Sequence, residues 1–273
     1  MYLNFQGKYQ YKKEVFMNVP DHNADHYTKY SSLQNGHAKD ILSTVHLDPE
    51  ASVLDVGCGD GKITAELAMR AIKGSVVGLD ASSSMIESAS IHFPEDQFPN
   101  LHFQLQPIED AVFLHPFNLI TSFSCFHWLK EPKKVMQKLI SCLKEGGELL
   151  ILTYPKESPY YQYMERALEK YPEYKHLSSN HTMLSSRAYK DFFLENHLKI
   201  LKFEEETILA TYNSVDEIFN FIKGWVSNYV PIPSDLQDQF INDVIQAILD
   251  DKTTQKDSMI KVPYTALTMK VQK

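Results

Sequence analysis

A glycine-dense turn carries the clearest chemical signal in the sequence. Residues 57–61 read Gly-Cys-Gly-Asp-Gly and follow the short apolar run Ser52–Val56, which contains Asp55. Glycine is needed where a backbone must take positive φ or approach a ligand closely. The helix predicted to begin at Lys62 adds the positive end of its dipole, which favours an anionic group such as a carboxylate. The sequence therefore predicts a ligand cradle after this first strand.

A second acidic residue stands where nucleotide-binding sheets accept ribose hydroxyls. Asp80 ends a β-branched run at residues 75–79 and lies 25 positions after Asp55. In dinucleotide-binding sheets the acid follows the glycine fingerprint by about 20 residues. The alternative is that the glycines only make a tight turn and Asp80 only caps a helix. Two strands and an acid in register favour the nucleotide site.

The glycine spacing separates the possible nucleotides. The dinucleotide fingerprint is G-x-G-x-x-G and a P-loop ends in G-K-[ST], whereas this turn reads G-x-G-x-G. Asp55 can accept a hydrogen bond from the ammonium of an amino-acid moiety, directly or through water. NAD lacks such a cation, and S-adenosylmethionine has one. The residues alone therefore favour S-adenosylmethionine.

Two segments, VLDVGCGDGKIT and VVGLDASSSMIESA, resemble motifs I and II of the class I S-adenosylmethionine-dependent methyltransferases. The resemblance implies that Asp80 binds both ribose hydroxyls and that Ala81 and Met85 flank the adenine. It also implies which residues line the methionine end of the cofactor: Asp55, Gly57, Cys58 and Gly59.

The adenine end departs from the pattern of that family. After the third predicted strand, at residues 101–105, the family usually has an acid that contacts the adenine amino group. This chain has Pro107 at that position. We therefore expect Gln106 and the backbone of Ile108 to take the place of that acid.

The acceptor end is predicted where the fourth strand, residues 117–122, leads into Phe-Ser-Cys-Phe-His-Trp-Leu. The carboxyl ends of the first and fourth strands flank the point where strand order reverses, which is the usual ligand crevice. We assign Ser122 to the cofactor side, and His127 and Trp128 to the acceptor side as candidate catalytic residues. A lone histidine is more often structural than a base, and a tryptophan serves equally as core or pocket wall.

Three segments narrow the resemblance further: DHYTKYSSLQNGHAKDIL, FHWL and FIKGWVSNYVPIP. They resemble the juvenile hormone acid methyltransferases, with trans-aconitate and malonyl-carrier carboxyl methyltransferases as more distant relatives. The resemblance implies that Gln34 and Trp128 hold an acceptor carboxylate. A carboxylate is already ionised at neutral pH, so it needs little general-base help. An alcohol or phenol acceptor would instead need a base, for which His127 is the candidate.

Alternating strands and helices predict an α/β fold with a Rossmann-like, mostly parallel sheet of seven strands and an antiparallel last strand. We expect a flexible arm at residues 1–20 and a single methyltransferase domain at 21–273. The core sheet is expected at about 50–155, with lid helices at about 156–183 and 213–255. The strands are predicted at residues 52–56, 75–79, 101–105, 117–122, 147–153, 198–212 and 260–271.

Composition limits the partners of this chain. It has 273 residues, a formal charge of −8, 43% hydrophobic residues and three cysteines. The negative charge opposes nucleic-acid binding, which needs a basic footprint. No apolar run approaches the roughly 18 residues of a membrane span, and the N-terminus lacks the apolar region of a signal peptide. Few, scattered cysteines predict a reducing, cytoplasmic setting without a disulfide framework or metal site.

We therefore expect a small apolar acid as the acceptor, no nucleic-acid or membrane partner, and a monomer or weak homodimer. The three arginines, Arg70, Arg166 and Arg187, offer few ways to clamp a polyanion, which disfavours a tricarboxylate. Other methyl acceptors remain open: a carrier-bound acyl carboxylate, a phenol or an amine. So do an NAD-type oxidoreductase and a non-catalytic protein that binds an adenosyl ligand.

Overall fold

The computed structural model describes residues 32–175, 181–252, 254–256 and 259–273, with side chains omitted at 32–36, 175, 255 and 256. The predicted arm at residues 1–20 lies outside the described residues. Within the described part of the chain, no helix combines the length and the apolar character that crossing a membrane requires.

The described strands are β1 (Ser52–Val56), β2 (Ser75–Asp80), β3 (Leu101–Leu105), β4 (Phe117–Phe123), β5 (Leu143–Thr153), β6 (Lys199–Tyr212), β7 (Gln255–Lys256) and β8 (Met259–Gln272). They form one sheet in the order β3-β2-β1-β4-β5-β8-β6, with β7 paired to β8. Strands β1 to β5 are parallel to one another, and β8 lies antiparallel between β5 and β6. This confirms the predicted Rossmann-like sheet with a reversed last strand.

Helices connect the strands and continue beyond the core sheet. They are α1 (Ser32–Ser43), α2 (Lys62–Arg70), α3 (Ser83–His92), α4 (Pro132–Ser141), α5 (Pro159–Leu168), α6 (Pro172–Lys175), α7 (Ser186–Glu195), α8 (Val215–Lys223), α9 (Val226–Tyr229) and α10 (Ser234–Asp250). A short 3-10 helix spans Phe126–Trp128. Ser82 caps α3, because its hydroxyl accepts from the Met85 N–H at 3.3 Å, as expected of serine at this position.

Alternation along the strands gives the sheet two apolar faces. Leu54 and Ile120 point to a core shared with α4 and α7, whereas their neighbours Val53 and Leu119 point to a core shared with α1 and α2. Successive side chains of a strand face opposite ways, so near-continuous apolar strands are buried on both sides. The carboxyl ends of β1 to β4 are held rigidly between these layers.

A third apolar cluster, here called the helical cluster, contains side chains of α5, α8, α9 and α10 and the adjoining ends of β6 and β8. These helices occupy the two ranges where lid helices are expected. Trp128 packs against the edge of this cluster. Trp128, which is predicted to bind the acceptor, therefore lies between the sheet and the helical cluster.

Element boundaries differ from expectation where long-range pairing decides them. Strand β5 begins at Leu143 because that residue pairs with Phe117 before a register shift. Within the second predicted lid range, the helical stretch that begins at Val215 divides into α8 and α9 at Gly224. The two-residue strand β7 was not predicted, since its pairing with β8 has no local sequence signal.

Candidate active site

The glycine turn is anchored to the neighbouring strand β2. The N–H groups of Gly57 and Cys58 both donate to the carbonyl of Leu79, at 2.7 and 3.1 Å. Gly57 has a φ of 72°, and a Cβ there would lie 2.5 Å from Cβ and 2.6 Å from Sγ of Cys125. A side chain at this position would therefore collide with the segment that follows β4.

Glycine is required at position 59 for a different reason. Its φ is 54°, yet a Cβ built there would have no atom within 4 Å. The turn thus leaves open space at Gly59 instead of filling it with protein. This is the arrangement expected where backbone approaches a ligand closely.

Asp80 joins the turn to the next helix. Its Oδ2 accepts from the Gly59 N–H and its Oδ1 from the Ser82 N–H, each at 2.9 Å. The side chain is half-buried at the carboxyl end of β2. Half-buried Ala81 and buried Met85 lie at the start of α3, beside Asp80. The structure therefore brings together the glycines and the predicted ribose and adenine residues.

Gln106 and Ile108, which are predicted to replace the usual adenine-binding acid, make contacts within their own loop and with the core. The Gln106 N–H donates to the carbonyl of Asp80 at 2.8 Å. Its side-chain amide donates to the Asp110 carbonyl at 3.1 Å and accepts from Gln104 at 2.6 Å. The side chain of Ile108 is buried in the core. Gln106 thus lies next to Asp80, and its role toward adenine stays a prediction.

Asp55 is buried, with 2% of its surface exposed. Its two oxygens accept from the hydroxyls of Thr64 and Thr121, both at 2.7 Å. Burial raises the pKa of Asp55 to about 6, against the lowering effect of these two hydrogen bonds. Each oxygen keeps a further lone pair, and the contact of Asp55 with the cofactor ammonium, directly or through water, stays a prediction. No local pattern pointed to Thr64 or Thr121.

The thiols near the turn are protonated and inert. Burial, followed by the charges of Asp80 and Asp55, raises the pKa of Cys58 well above its ordinary value. Burial and Asp80 raise the pKa of Cys125 to about 12. A nucleophilic thiol requires the thiolate, so Cys58 serves the turn by its backbone and its packing.

Ser122 and His127 are both buried, and each has a hydrogen-bond partner within the sheet. The buried Ser122 hydroxyl donates to the Val56 carbonyl at 2.9 Å, which ties β4 to β1. His127 is 4% exposed, and its Nδ1 lies 3.3 Å from the Thr153 hydroxyl. Its ring is in contact with those of Trp128 and Tyr154, at centroid distances of 4.7 and 4.9 Å. A role for His127 as a base remains a prediction.

Four aromatic rings form a closed circuit that includes Trp128. Trp128 lies 5.6 Å from His181 and 6.1 Å from Trp225, measured between ring centroids. Tyr229 completes the circuit, at 5.6 Å from His181 and 6.2 Å from Trp225. Burial lowers the pKa of His181, so its ring is neutral at physiological pH. The four rings are uncharged, and the Tyr229 hydroxyl donates to the exposed Glu165 carboxylate at 3.3 Å.

Gln34 lies in α1, and its side chain is outside the described residues. Its expected pairing with Trp128 stays a prediction. Among the described residues, no group of three or more His, Cys, Asp or Glu side chains is placed to hold a metal ion.

Comparison with known proteins identifies the family. Residues 47–229, more than half of the chain, match the family model described as a methyltransferase domain. The chain belongs to this family. The predicted class I S-adenosylmethionine-dependent methyltransferase is thereby confirmed in family and, with the sheet order above, in fold.

Curated relatives of this methyltransferase carry related names. It is 32% identical over 129 residues to a trans-aconitate 2-methyltransferase of Deinococcus radiodurans, which covers 47% of this chain and 48% of that protein. The chain thus spans about half the length of that relative. It is 25% identical over 219 residues to a malonyl-[acyl-carrier protein] O-methyltransferase of a Paenibacillus species, covering 77% of this chain and 79% of that one.

Solved structures agree on the fold. The YcgJ protein of Bacillus subtilis aligns with a TM-score of 0.63 at 18% identity, covering 88% of this chain and 98% of that one. A coclaurine N-methyltransferase aligns with a TM-score of 0.56 at 12% identity, covering 88% and 72% respectively. At these identities the similarity is one of architecture.

Three glycine variants should separate backbone strain from ligand contact. Gly59→Ala places a methyl group in the open space of the turn, so we expect affinity for S-adenosylmethionine to fall at least tenfold, by about 1.4 kcal/mol. Gly146→Ala is the matched control, because Gly146 also has a positive φ, of 74°, and open space around its Cβ. Both variants should lose roughly 1–2 kcal/mol of stability to left-handed strain. Equal cofactor affinity of the two variants, measured by calorimetry, would contradict this assignment. Gly57→Ala should be the least stable of the three, because its methyl group collides with Cys125.

The buried Asp55 should leave a signature in the pH dependence of stability. Its pKa of about 6 in the folded chain exceeds its ordinary value of 3.8. The folded state therefore binds more protons between these values, and its free energy of unfolding falls as pH rises through this window. The Asp55→Asn variant should lack this component, which amounts to at most about 3 kcal/mol. Urea unfolding of both proteins from pH 4 to pH 7 gives the difference curve, and a flat curve would refute the assignment.

Proposed function

We propose that this S-adenosylmethionine-dependent methyltransferase methylates the carboxylate of a small acid with an apolar body. The observation that carries the proposal is the circuit of uncharged aromatic rings that includes Trp128, which follows shortly after the carboxyl end of β4. The two curated relatives described above support it, since their names refer to acceptors that bear carboxylates.

The turn fits S-adenosylmethionine by shape and by charge. The open space at Gly59 and the hydrogen-bonded Asp80 would accommodate the ribose and the methionine end. Asp55 and Asp80 make this end electronegative, which suits a ligand with an ammonium and a sulfonium. When bound, S-adenosylmethionine supplies a methyl group on a positively charged sulfur, which departs as a neutral thioether once the acceptor oxygen takes the methyl.

The aromatic circuit suits the apolar part of the acceptor. Its members are Trp128, His181, Trp225 and Tyr229, and the ring of Tyr161 stacks on Tyr229 at 5.7 Å. Trp128, Trp225 and Tyr161 are half-buried. They therefore keep surface that a ligand can cover. An apolar body that covers these rings would exclude water from the reacting carboxylate, which favours displacement.

Arg70 is engaged on α2 and the other two arginines are exposed to solvent, which favours a monocarboxylate. Arg70 donates to the Leu42 carbonyl at 2.7 Å and pairs with Glu66 on the same helix. Arg166 and Arg187 are exposed to solvent on α5 and α7. A guanidinium is the usual bidentate partner of a carboxylate, and a polycarboxylate would require several such partners. We further propose a cytoplasmic enzyme, monomeric or weakly dimeric, without nucleic-acid or membrane partners.

A label-transfer assay tests this function. Methyl-labelled S-adenosylmethionine is incubated with the full chain and with apolar monocarboxylic acids, trans-aconitate, and the alcohol and amine analogues of each acid. We expect base-labile labelled methyl ester from an apolar monocarboxylate and less from trans-aconitate. Transfer confined to the alcohol or amine analogues would overturn the proposal. Trp128→Phe keeps an aromatic ring but removes the indole N–H donor, so it should raise KM for the acid without changing the affinity for S-adenosylmethionine.

A further inference from the structure

Ser124 is held in a strained backbone conformation at the acceptor end. It directly follows β4 and has a φ of 55°. Among the described residues, one other non-glycine residue, His197, has a positive φ. His197 lies just beyond the end of α7, where this conformation commonly ends a helix. Ser124 ends no helix, and strain of this kind clusters at ligand sites.

Hydrogen bonds to the next strand fix the position of Ser124. Its N–H donates to the Leu152 carbonyl at 2.8 Å. Its hydroxyl lies 3.0 Å from the hydroxyl of Tyr154, the residue that follows β5. The Tyr154 ring packs edge-on against His127 at 4.9 Å and Tyr264 at 5.6 Å. Three strands of the sheet thus determine where this hydroxyl pair lies.

The pair lies between the cofactor turn and the aromatic circuit. The residue after Ser124 is Cys125, whose Sγ would lie 2.6 Å from a Cβ on Gly57. On the other side, Tyr154 contacts His127, which in turn contacts Trp128. Ser124 and Tyr154 thus belong to the contacts that connect the turn to the aromatic circuit.

We propose that the Ser124 hydroxyl donates a hydrogen bond to the acceptor carboxylate and that Tyr154 positions this hydroxyl. The proposal rests on the function proposed above and names a further acceptor-binding residue. Either oxygen of the pair can be the donor. When Tyr154 donates to Ser124, the serine O–H is left to donate to a ligand. A neutral donor of this kind suits one carboxylate and explains how an acid is held without a guanidinium.

The chemistry of methyl transfer to a carboxylate predicts which kinetic constant changes when the Ser124 hydroxyl is removed. The carboxylate loses its negative charge as its oxygen bonds to the methyl group. A donor to the carboxylate therefore binds the ground state at least as well as the transition state. Loss of the donor should raise KM and leave kcat nearly unchanged. Hydrogen bonds to charged groups are strong enough for an increase of about tenfold to a hundredfold.

Two substitutions separate the donor from the backbone conformation. Ser124→Gly accommodates positive φ and removes the hydroxyl. Ser124→Asn also tolerates the left-handed region and supplies an amide N–H. Ser141→Ala, a remote substitution of an exposed serine on α4, is the control for a general effect of serine replacement.

The experiment measures binding instead of turnover, so it is separate from the test of the proposed function. Each protein is saturated with S-adenosylhomocysteine and titrated by calorimetry with octanoic, phenylacetic and cinnamic acids and with the corresponding alcohols. We expect the wild type and Ser141→Ala to prefer acid to alcohol. Ser124→Gly should lose about tenfold or more of that preference, Tyr154→Phe should lose less, and Ser124→Asn should retain most of it.

Two results would overturn the proposal. One is a wild-type protein that binds no acid more tightly than its alcohol. The other is a Ser124→Gly variant whose preference equals that of the wild type, because Ser124 would then serve the backbone alone. Failure of methyl transfer with an intact, Ser124-dependent preference for acids would count against the proposed function and leave this site standing.

Discussion

The position of the whole site depends on hydrogen bonds between the glycine turn and the end of β2. Two N–H groups of the turn, from Gly57 and Cys58, share the carbonyl of Leu79, and the N–H of Gly59 binds the Asp80 carboxylate. The turn after β1 is thereby fixed by the neighbouring strand. A ligand that contacts the turn must meet Asp80 in a fixed geometry. Because the parallel strands are buried on both faces, this geometry is held by the core of the sheet.

The two ends of the site differ in electrostatic character. At the turn, Asp55 and Asp80 are close enough for each to raise the pKa of Cys58. Around Trp128 the side chains are aromatic, with a neutral His181. A cationic methyl donor suits the first environment, and the proposed apolar acceptor suits the second. The hydroxyls of Ser124 and Tyr154 would supply the proposed acceptor with a polar but uncharged contact.

The sequence predicted those parts of the structure that depend on local patterns. The run from β1 through the turn, α2 and β2 to Asp80 follows from apolar runs and glycine spacing, and its elements lie where predicted. The reversed strand β8 was also predicted, since two late strands lacked a standard crossover helix between them. Predicting these features requires only the identities of neighbouring residues and the rules by which strands are connected.

Contacts between distant segments could not be predicted in this way. Thr121 lies 66 residues from Asp55 and is its partner only because β1 and β4 pair in that register. Likewise, Ser124 meets Tyr154 because β4 and β5 end side by side, and its positive φ has no signal in the sequence. The aromatic circuit joins residues from three separate stretches of the chain. The assignment of Gln34 to the acceptor still rests on resemblance.

The most direct test of the central claim is a calorimetric titration of the full chain with S-adenosylmethionine, alongside the Asp80→Asn variant. The turn and Asp80 predict saturable binding of one cofactor per chain. They also predict a loss of at least about tenfold in affinity when the carboxylate that would accept the ribose hydroxyls becomes an amide. An absence of saturable binding to the wild-type chain would contradict the account, and so would an Asp80→Asn variant that binds as tightly as the wild type.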